Sequence, residues 1–369
     1  MLSRYTGVIT SFESRDLLKT LTLHRGIATV PIAGKYRAID FPLSYMRNAG
    51  IKNIHVLSNK NCRSLRNHLD VTKSWGLNRK NGGLTIHTGD GETDTQLLGE
   101  NFDDLLKVKD EMIVIAPTYM IANIDLDKAM EFHELSEADI TVIYKNIPEP
   151  SENFLGCDIL EFNEKNCLTR VCANFLPKRN QNISLEVFLI KRSLLMALVM
   201  ARPNRELPLK DIIYRSKNNL RITGFEHREY LSCLNSLANY FRTNMDLINS
   251  KNLKELFFNE NRPIFSKIKD SIPTHYLSEE VVKNSIISNE CFIEGTVINS
   301  VLSRYVNVER GAKVENCIIL QNCTIKSGTH LKNVIVDKNV ILEETELEGN
   351  PFYPLVIQKN ISFNLKRRK

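Results

Sequence analysis

Apolar residues recur every six positions through the last part of the chain, and this repeat constrains the fold more than any other feature. The repeat forms three runs, separated by slips of five and four residues: Leu302, Val308 and Val314; Ile319, Ile325 and Leu331; Ile335 and Ile341. The positions between them are rich in Asn, Gly and Ser and show no helical period. The repeat predicts a parallel β-helix whose coils stack on one core. An ordinary antiparallel β-domain is the alternative.

The first 250 residues have a different pattern, in which strand-like runs alternate with amphipathic segments. The strand candidates are rich in Val and Ile: Tyr5–Thr10, Asn53–Ser58, Met112–Ala116 and Asp139–Ile147. The helix candidates are Leu43–Ala49, Leu126–Leu135 and Ser236–Asn249. This alternation predicts an α/β domain with a mostly parallel sheet, covered on both faces, whose ligands bind at the carboxyl ends of the strands.

The change of pattern predicts three parts: an α/β domain over residues 1–250, a connector over 251–280 and a β-helix domain over 281–369. Composition adds several exclusions. The eight cysteines contain no CxxC pair, and the eight histidines show no spacing typical of metal ligands, so we expect no metal site. No apolar run approaches the ~20 residues of a membrane span, so we expect no membrane association and a cytoplasmic location.

Positive charge exceeds negative charge, with a net charge of +6 to which the terminal run Lys366–Lys369 contributes. Nucleic-acid binding would require a basic stripe interleaved with aromatic residues, and no such stripe is apparent. The terminal run is interpreted as a solvated tail. We therefore expect no nucleic-acid partner.

The segment Arg25–Leu69 contains the run GKYRAIDFPLS, in which Lys35 and Arg37 follow Gly34 on a tight turn and Asp40 is interpreted as an ion-pair or capping residue. It resembles the segment after the phosphate loop of bacterial glucose-1-phosphate adenylyltransferases (ADP-glucose pyrophosphorylases). The resemblance covers nearly the whole chain, including the connector and the hexapeptide repeat. It implies a Rossmann-like nucleotidyltransferase domain followed by a left-handed β-helix.

The chain departs from this family at the phosphate loop. The family's loop glycines align with Phe12, Glu13 and Arg15, and its catalytic arginine aligns with Leu17. Glycines let backbone N–H groups approach phosphate oxygens, and larger side chains would obstruct that approach. The carboxylate of Glu13 would also repel a triphosphate.

Three further catalytic positions have changed. The family's two Mg²⁺-binding aspartates align with Thr118 and Cys233, and its sugar-phosphate lysine aligns with Asn174. A hydroxyl and a thiol are poor Mg²⁺ ligands. Asp125 and Asp158 are candidate replacement carboxylates, although Asp125 is interpreted as a helix cap. We therefore expect this chain to bind no cofactor.

The resemblance implies a regulatory, non-catalytic subunit that pairs with a catalytic adenylyltransferase. The pair is expected to form a mixed tetramer that supplies ADP-glucose for glycogen synthesis, with Mg²⁺ bound only at the catalytic partner. Two alternatives remain open: an active sugar-phosphate nucleotidyltransferase with a degenerate site, and a structural assembly subunit without any kinetic effect.

An effector-anion site for phosphorylated metabolites is also implied by the resemblance. The matching positions are His24, Arg25, Arg37 and Ser64. Two arginines can hold a phosphate through bidentate hydrogen bonds. The alternative is that Arg37 pairs with Asp40 and that Arg25 caps a turn.

Overall fold

The computed structural model describes residues 5–60, 62–70, 75–77, 83–107, 110–201, 206–268, 270–277 and 282–364. The run Lys366–Lys369 and the side chain of Arg15 lie outside this description. The described chain has an N-terminal α/β domain with a nine-stranded sheet and a C-terminal β-helix of three parallel sheets. The fold class predicted from the sequence is therefore confirmed. None of the helices within these ranges is long and apolar enough to cross a membrane.

The α/β domain contains thirteen described strands: β1 (Tyr5–Ser11), β2 (Pro31–Ile32), β3 (Tyr36–Arg37), β4 (Asn53–Asn59), β5 (Gly83–Gly89), β6 (Met112–Pro117), β7 (Met120–Ala122), β8 (Ile140–Ile147), β9 (Asp158–Phe162), β10 (Leu168–Ala173), β11 (Gln181–Lys191), β12 (Ile222–Glu226) and β13 (Leu231–Cys233). Its helices are α1 (Asp40–Asn48), α2 (Arg63–Leu69), α3 (Asp94–Glu100), α4 (Phe102–Leu106), α5 (Leu126–Ser136), α6 (Arg192–Met200), α7 (Leu209–Arg215), α8 (Leu237–Asp246) and α9 (Ser250–Phe257).

The large sheet is mixed, which refines the expectation of a mostly parallel one. Strands β5, β4, β1 and β6 run parallel, whereas β11 is antiparallel to β6, β8 and β9. Parallel neighbours need long crossovers, usually through a helix. The connections between β9, β10 and β11 are short and carry no helix, so these strands pair antiparallel.

Helices cover both faces of this sheet, because its strands are apolar on both sides. The helices α1, α2 and α5 contribute apolar side chains to the core on one face. The helices α3, α6 and α7 contribute to the core on the other face. Helix α5 begins where Asp125 accepts a hydrogen bond from the Lys128 N–H at 3.3 Å, so Asp125 is a cap.

The β-helix is built from short parallel strands that repeat on three faces. The strands are β14 (His275–Tyr276), β15 (Val282–Lys283), β16 (Ile286–Ile287), β17 (Phe292–Ile293), β18 (Thr296–Ile298), β19 (Val301–Leu302), β20 (Asn307–Val308), β21 (Lys313–Glu315), β22 (Ile318–Ile319), β23 (Thr324–Ile325), β24 (His330–Lys332), β25 (Val334–Val336), β26 (Ile341–Glu343), β27 (Glu346–Glu348), β28 (Leu355–Ile357) and β29 (Ser362–Asn364). Every third strand pairs in parallel, an arrangement consistent with the left-handed β-helix.

The register corrects the last run of the predicted repeat. Leu302 pairs with Ile319 and Ile319 pairs with Val336, so one coil spans 17 residues. The inward-facing residues after the last slip are Val336 and Leu342, which are fully buried. Ile335 instead packs outward against the α/β domain, and Ile341 is 42% exposed. The prediction was wrong here because the slip after Leu331 is five residues long, like the slip after Val314, and not four.

Asparagines form the corners of the β-helix. Asn322, Asn339 and Asn360 have positive φ, a conformation that Asn tolerates better than most residues. Their side chains form a ladder, in which Asn322 donates to Asn339 at 3.0 Å and Asn339 donates to Asn360 at 2.9 Å. The Asn-rich spacing of the sequence therefore reflects corner geometry and ladder hydrogen bonds.

Replacing Asn339, the central asparagine of the ladder, should lower the stability of the β-helix. We expect Asn339→Ala to lower the free energy of unfolding by about 1–2 kcal/mol, because alanine pays for the left-handed conformation and makes no ladder hydrogen bond. Asn339→Gly, which adopts this φ freely, should lose less. Urea denaturation of the three proteins measures both changes. Equal losses in the two variants would mean that φ does not determine the corner residue.

The two domains share a buried seam. Ile318, Leu320 and Ile335, on the outer face of the β-helix, belong to the same apolar cluster as Ile32 and residues of α8. The turn between β2 and β3 approaches closely as well. At Gly34, with φ +73°, an added Cβ would lie 2.8 Å from the Leu302 carbonyl oxygen. This contact requires glycine and places the basic residues that follow it between the domains.

Candidate functional site

Two cavities lie where the sequence predicts ligands. The strand-end cavity, about 480 Å³, lies at the carboxyl ends of β1 and β6 and is lined by Phe12, Glu13 and Leu17 among others. The interdomain pocket, about 780 Å³, lies between the α/β domain and the β-helix. His24, Arg25, Arg37 and Ser64, the four predicted effector-anion residues, all line this second pocket.

The loop after β1 contains no glycine between residues 12 and 22, and it does not form a phosphate cradle. Its residues Arg15–Thr22 continue as a 3-10 helix, whose start is capped by Ser14 accepting from the Asp16 N–H at 3.3 Å. Phe12 and Leu17 present their side chains to the cavity. The loop therefore offers apolar surface where a nucleotide's phosphates would need N–H donors.

Glu13 and Thr118, two positions at which the chain departs from the family pattern, are hydrogen-bonded partners. The Glu13 Oε1 accepts from the Thr118 N–H at 2.9 Å and from its hydroxyl at 2.8 Å. Burial raises the pKa of the Glu13 carboxyl to about 7, although the bonds from Thr118 oppose this shift. The loop carboxylate thus takes up both donors of the residue that follows β6.

The Glu13 carboxyl should titrate near neutral pH. Its pKa is higher in the folded than in the unfolded chain, so the folded state holds this proton more tightly, and stability falls as pH rises from about 4.5 to about 7. Glu13→Gln cannot lose a proton, so we expect this part of the pH dependence to disappear. Unfolding of both proteins between pH 5 and pH 8 measures it; parallel profiles would contradict the shift.

A buried polar network, which the sequence analysis missed, forms another wall of the cavity. The Lys210 Nζ donates to Glu186 Oε1 at 2.7 Å and to Asp158 Oδ2 at 2.9 Å, and the Tyr119 hydroxyl donates to Glu186. The two carboxylates raise the pKa of Lys210 against the opposing effect of burial. Asp158, a candidate replacement ligand for Mg²⁺, is therefore committed to an ion pair. No sequence signal links Lys210 to Glu186.

The other two changed catalytic positions, Asn174 and Cys233, have structural roles. Asn174 is buried, and its Nδ2 donates to the Phe154 carbonyl at 3.0 Å, which braces the neighbouring loop. Cys233 is fully buried, with its Sγ 3.4 Å from the Cys157 Sγ, and burial raises the pKa of its thiol well above the usual value. Across the described ranges, no group of three or more His, Cys, Asp or Glu side chains is placed to hold a metal ion.

The strand-end cavity has an acidic lining. Among the described lining residues, Lys210 is the one cation. The four carboxylates are Glu13, Glu92, Asp94 and Glu186. Asp94 is already used, since it accepts from the N–H groups of Leu209 and Thr95 at 2.9 and 3.0 Å. A polyanionic nucleotide would enter this cavity without enough positive charge to neutralise it.

The interdomain pocket has the opposite charge. Eight lysine and arginine side chains line it: Arg25, Lys35, Arg37, Arg63, Lys267, Arg304, Lys338 and Lys359. No carboxylate appears among its lining residues in the described part of the chain. This charge distribution is typical of a site for a multiply charged anion.

Arg25 joins the two domains across this pocket. Its Nη2 donates to both carboxylate oxygens of Asp337, at 2.6 and 2.9 Å, and both side chains are less than 5% exposed. Its Nη1 is buried without a hydrogen-bond partner among the described atoms. Arg25 therefore does not cap a turn; it forms an interdomain ion pair and keeps unused donors at the pocket wall.

Arg37 and Asp40 do not form the ion pair that the alternative interpretation expects. The Arg37 guanidinium donates to the Thr29 carbonyl at 2.7 Å, and only the Arg37 backbone N–H donates to Asp40. Asp40 pairs with His68 Nε2 at 2.6 Å. The Arg37 side chain is thus held at the pocket by a neutral carbonyl, and its charge is not cancelled by Asp40.

Positive charge in the pocket is in excess. Burial, Arg37 and Arg25 together lower the pKa of Lys338 to about 6, and Asp337 opposes this only in part. A lysine with this pKa is largely neutral at pH 7 in the absence of an anion. A bound anion would favour its charged form, so anion binding at this pocket would be accompanied by proton uptake.

Comparisons with known proteins agree with this architecture. The family model "Nucleotidyl transferase" matches residues 16–166, and "GlmU-like, C-terminal hexapeptide" matches residues 273–350. The chain is 34% identical to "Glycogen biosynthesis protein GlgD" of Geobacillus stearothermophilus over 85% of this chain and 84% of that protein. It is 28% identical to the GlgD protein of Bacillus subtilis, over 84% and 82% of the two chains.

A further relative carries an enzyme's name. "Glucose-1-phosphate adenylyltransferase" of Bacillus cytotoxicus is 26% identical over 82% of this chain and 83% of that protein. These matches extend through both the nucleotidyltransferase and the hexapeptide domains. The chain therefore belongs to the glucose-1-phosphate adenylyltransferase family of nucleotidyltransferases, together with the GlgD proteins of glycogen biosynthesis.

Proposed function

We propose that this chain is a regulatory, non-catalytic subunit of glucose-1-phosphate adenylyltransferase. It acts in the cytoplasm by binding a catalytic homologue, in a mixed tetramer, and modulates that homologue's synthesis of ADP-glucose for glycogen. The chain itself binds no Mg²⁺, which is held only by the catalytic partner. Its own ligand is a phosphorylated metabolite in the interdomain pocket.

The opposite charge of the two cavities is the observation that carries this proposal. The strand-end cavity presents four carboxyl groups and one lysine, whereas the interdomain pocket presents eight lysine and arginine side chains. Catalysis of nucleotidyl transfer needs positive charge beside the phosphates, from a metal ion or from cationic side chains. In this chain the basic side chains lie at the interdomain pocket, and the strand-end cavity has little positive charge.

The interdomain pocket also offers a route for regulation. Its cations come from both domains, and the Arg25–Asp337 pair spans the seam between them. An anion that contacts both walls changes the relative free energies of domain arrangements, provided that it binds one arrangement better than another. Couplings of this kind are typically worth about 1–3 kcal/mol, or roughly 5- to 150-fold in affinity.

A rate assay on three samples tests the proposal. Pyrophosphate release from ATP and glucose 1-phosphate is measured with Mg²⁺ for this chain alone, for its catalytic homologue alone and for the two co-expressed. We expect no turnover by this chain alone, and a higher rate or a changed effector response in the mixture. Turnover by this chain alone would support the active-enzyme alternative instead.

A variant separates regulation from assembly. We expect a complex containing Lys338→Met to assemble like the parent complex, because the substitution removes one basic group from the pocket and leaves the apolar seam between the two domains of this chain intact. Its response to a phosphorylated effector should weaken. Unchanged kinetics in both complexes, despite assembly, would identify a purely structural subunit.

A further inference from the structure

We propose that the strand-end cavity is occupied by two of the chain's own carboxylates, Glu186 and Glu13, which take the hydrogen-bond donors that a phosphate group would otherwise bind. The cavity is therefore a masked anion site rather than one without donors. This inference rests on the proposed function only in treating the cavity as inactive, and it assigns a physical cause to that inactivity.

The backbone at Glu186 shows that its side chain is directed into the cavity by a local irregularity. The pairing of β11 with β8 shifts register between Ser184 and Val187, which marks a β-bulge. Glu186 lies within the bulge at φ +54°, a left-handed conformation that glycine adopts freely and glutamate does not. Bulges commonly re-aim a side chain beside a functional site.

The contacts of Glu186 are those that a phosphate oxygen would make. Its Oε1 accepts from the Lys210 ammonium at 2.7 Å and from the Tyr119 hydroxyl. The residue is only 7% exposed, so its carboxylate is held in place and is not solvated. Lys210 is the single cation among the described lining residues, so Glu186 is paired with the group that would otherwise attract an anion into the cavity.

Glu13, after the end of β1, makes a similar set of contacts. Its Oε1 accepts two hydrogen bonds from Thr118, one from the backbone N–H and one from the hydroxyl. A backbone N–H and a hydroxyl beside each other form a common contact for phosphate oxygens. Together, the two glutamates therefore accept hydrogen bonds from an ammonium, a phenol, a hydroxyl and a backbone N–H.

Removing one internal carboxylate should unmask the site. Glu186→Gly removes the carboxylate and relieves the left-handed conformation, so the backbone does not oppose the change. The probe is inorganic pyrophosphate, measured by titration calorimetry without metal. We expect a binding site at least roughly tenfold stronger than any at this cavity in the wild-type chain, because one nearby charge shifts a charged group's equilibrium by about one to three powers of ten.

Two further variants locate the new site. Glu186→Gly combined with Lys210→Met should lose the added binding, because Lys210 is the cation that loses one of its two carboxylate partners in Glu186→Gly and keeps only Asp158. Glu92→Gln removes a carboxylate from the same cavity, but Glu92 forms no ion pair among the described residues. It should leave pyrophosphate binding close to that of the wild-type chain.

The outcomes are separable from those of the proposed function. Pyrophosphate that binds the interdomain pocket appears as a background common to all variants, whereas the unmasked site depends on Lys210. If Glu186→Gly folds and gains no Lys210-dependent binding, the inference is wrong. If Glu186→Gly does not fold, the double variant Glu13→Gln, Glu186→Gln, which keeps both side-chain sizes, gives the same test by the same titration.

Discussion

Asp337→Asn should lower the free energy of unfolding by about 3–5 kcal/mol, the typical cost of removing one partner from a buried ion pair. The substitution leaves the Arg25 guanidinium buried without a counter-charge, beside Arg37 and Lys338. The pair joins residues from the two domains, so the loss should also loosen the seam. Chemical denaturation measures the free energy, and limited proteolysis between the domains measures the loosening.

An exposed pair provides the matched control. Lys332 and Glu348 are 2.7 Å apart, but their side chains are 50% and 64% exposed. Water solvates each charge when the pair is broken, so Glu348→Gln should cost much less stability than Asp337→Asn. Equal losses for Asp337→Asn and Glu348→Gln would show that the Arg25–Asp337 pair does not bind the domains together.

Anion affinity at the interdomain pocket should rise about tenfold or more between pH 8 and pH 6. The pKa of Lys338 is about 6 in the empty pocket, so the side chain is mostly neutral at pH 8. A bound dianion raises this pKa, and binding therefore takes up a proton and strengthens as pH falls. Sulfate is the appropriate probe because it stays divalent across this range, and titration calorimetry gives the affinity.

Three variants assign this pH dependence. Lys338→Met should weaken binding and flatten the profile, whereas Lys35→Met, at the same pocket, should weaken binding and keep the slope. His24 and His68 also line the pocket, so a histidine contribution is tested as well. Because His68 is engaged by Asp40, His24→Gln is the additional control. A slope that survives in Lys338→Met but disappears in His24→Gln would overturn the assignment.

Elements with a strong period could be predicted from the sequence. The predicted strand Met112–Ala116 and helix Leu126–Leu135 each end within one residue of β6 and α5. The six-residue repeat predicts the β-helix because each coil must bury the same columns of side chains. The error at Ile335 arose because this isoleucine lies between Val334 and Val336, so the apolar pattern leaves the phase of the repeat ambiguous, and only strand pairing resolves it.

The candidate sites were predictable only in part. Motif comparison located Glu13 and Thr118, but their hydrogen bond depends on the meeting of the β1 and β6 ends, 105 residues apart in sequence. The Arg25–Asp337 pair spans 312 residues and two domains. Glu186 was missed because its position in the cavity depends on a bulge, and no residue pattern in β11 marks one.

Binding of Mg²⁺–ATP to the isolated chain decides whether the strand-end cavity still accepts a nucleotide. Titration calorimetry is performed with ATP in the presence and absence of Mg²⁺, on the wild-type chain and on Lys210→Met. We predict no Mg²⁺-dependent binding that requires Lys210, because internal carboxylates occupy the strand-end cavity and no metal ligands converge there among the described residues. Tight Mg²⁺-dependent binding that Lys210→Met abolishes would contradict the account and identify this cavity as a working nucleotide site.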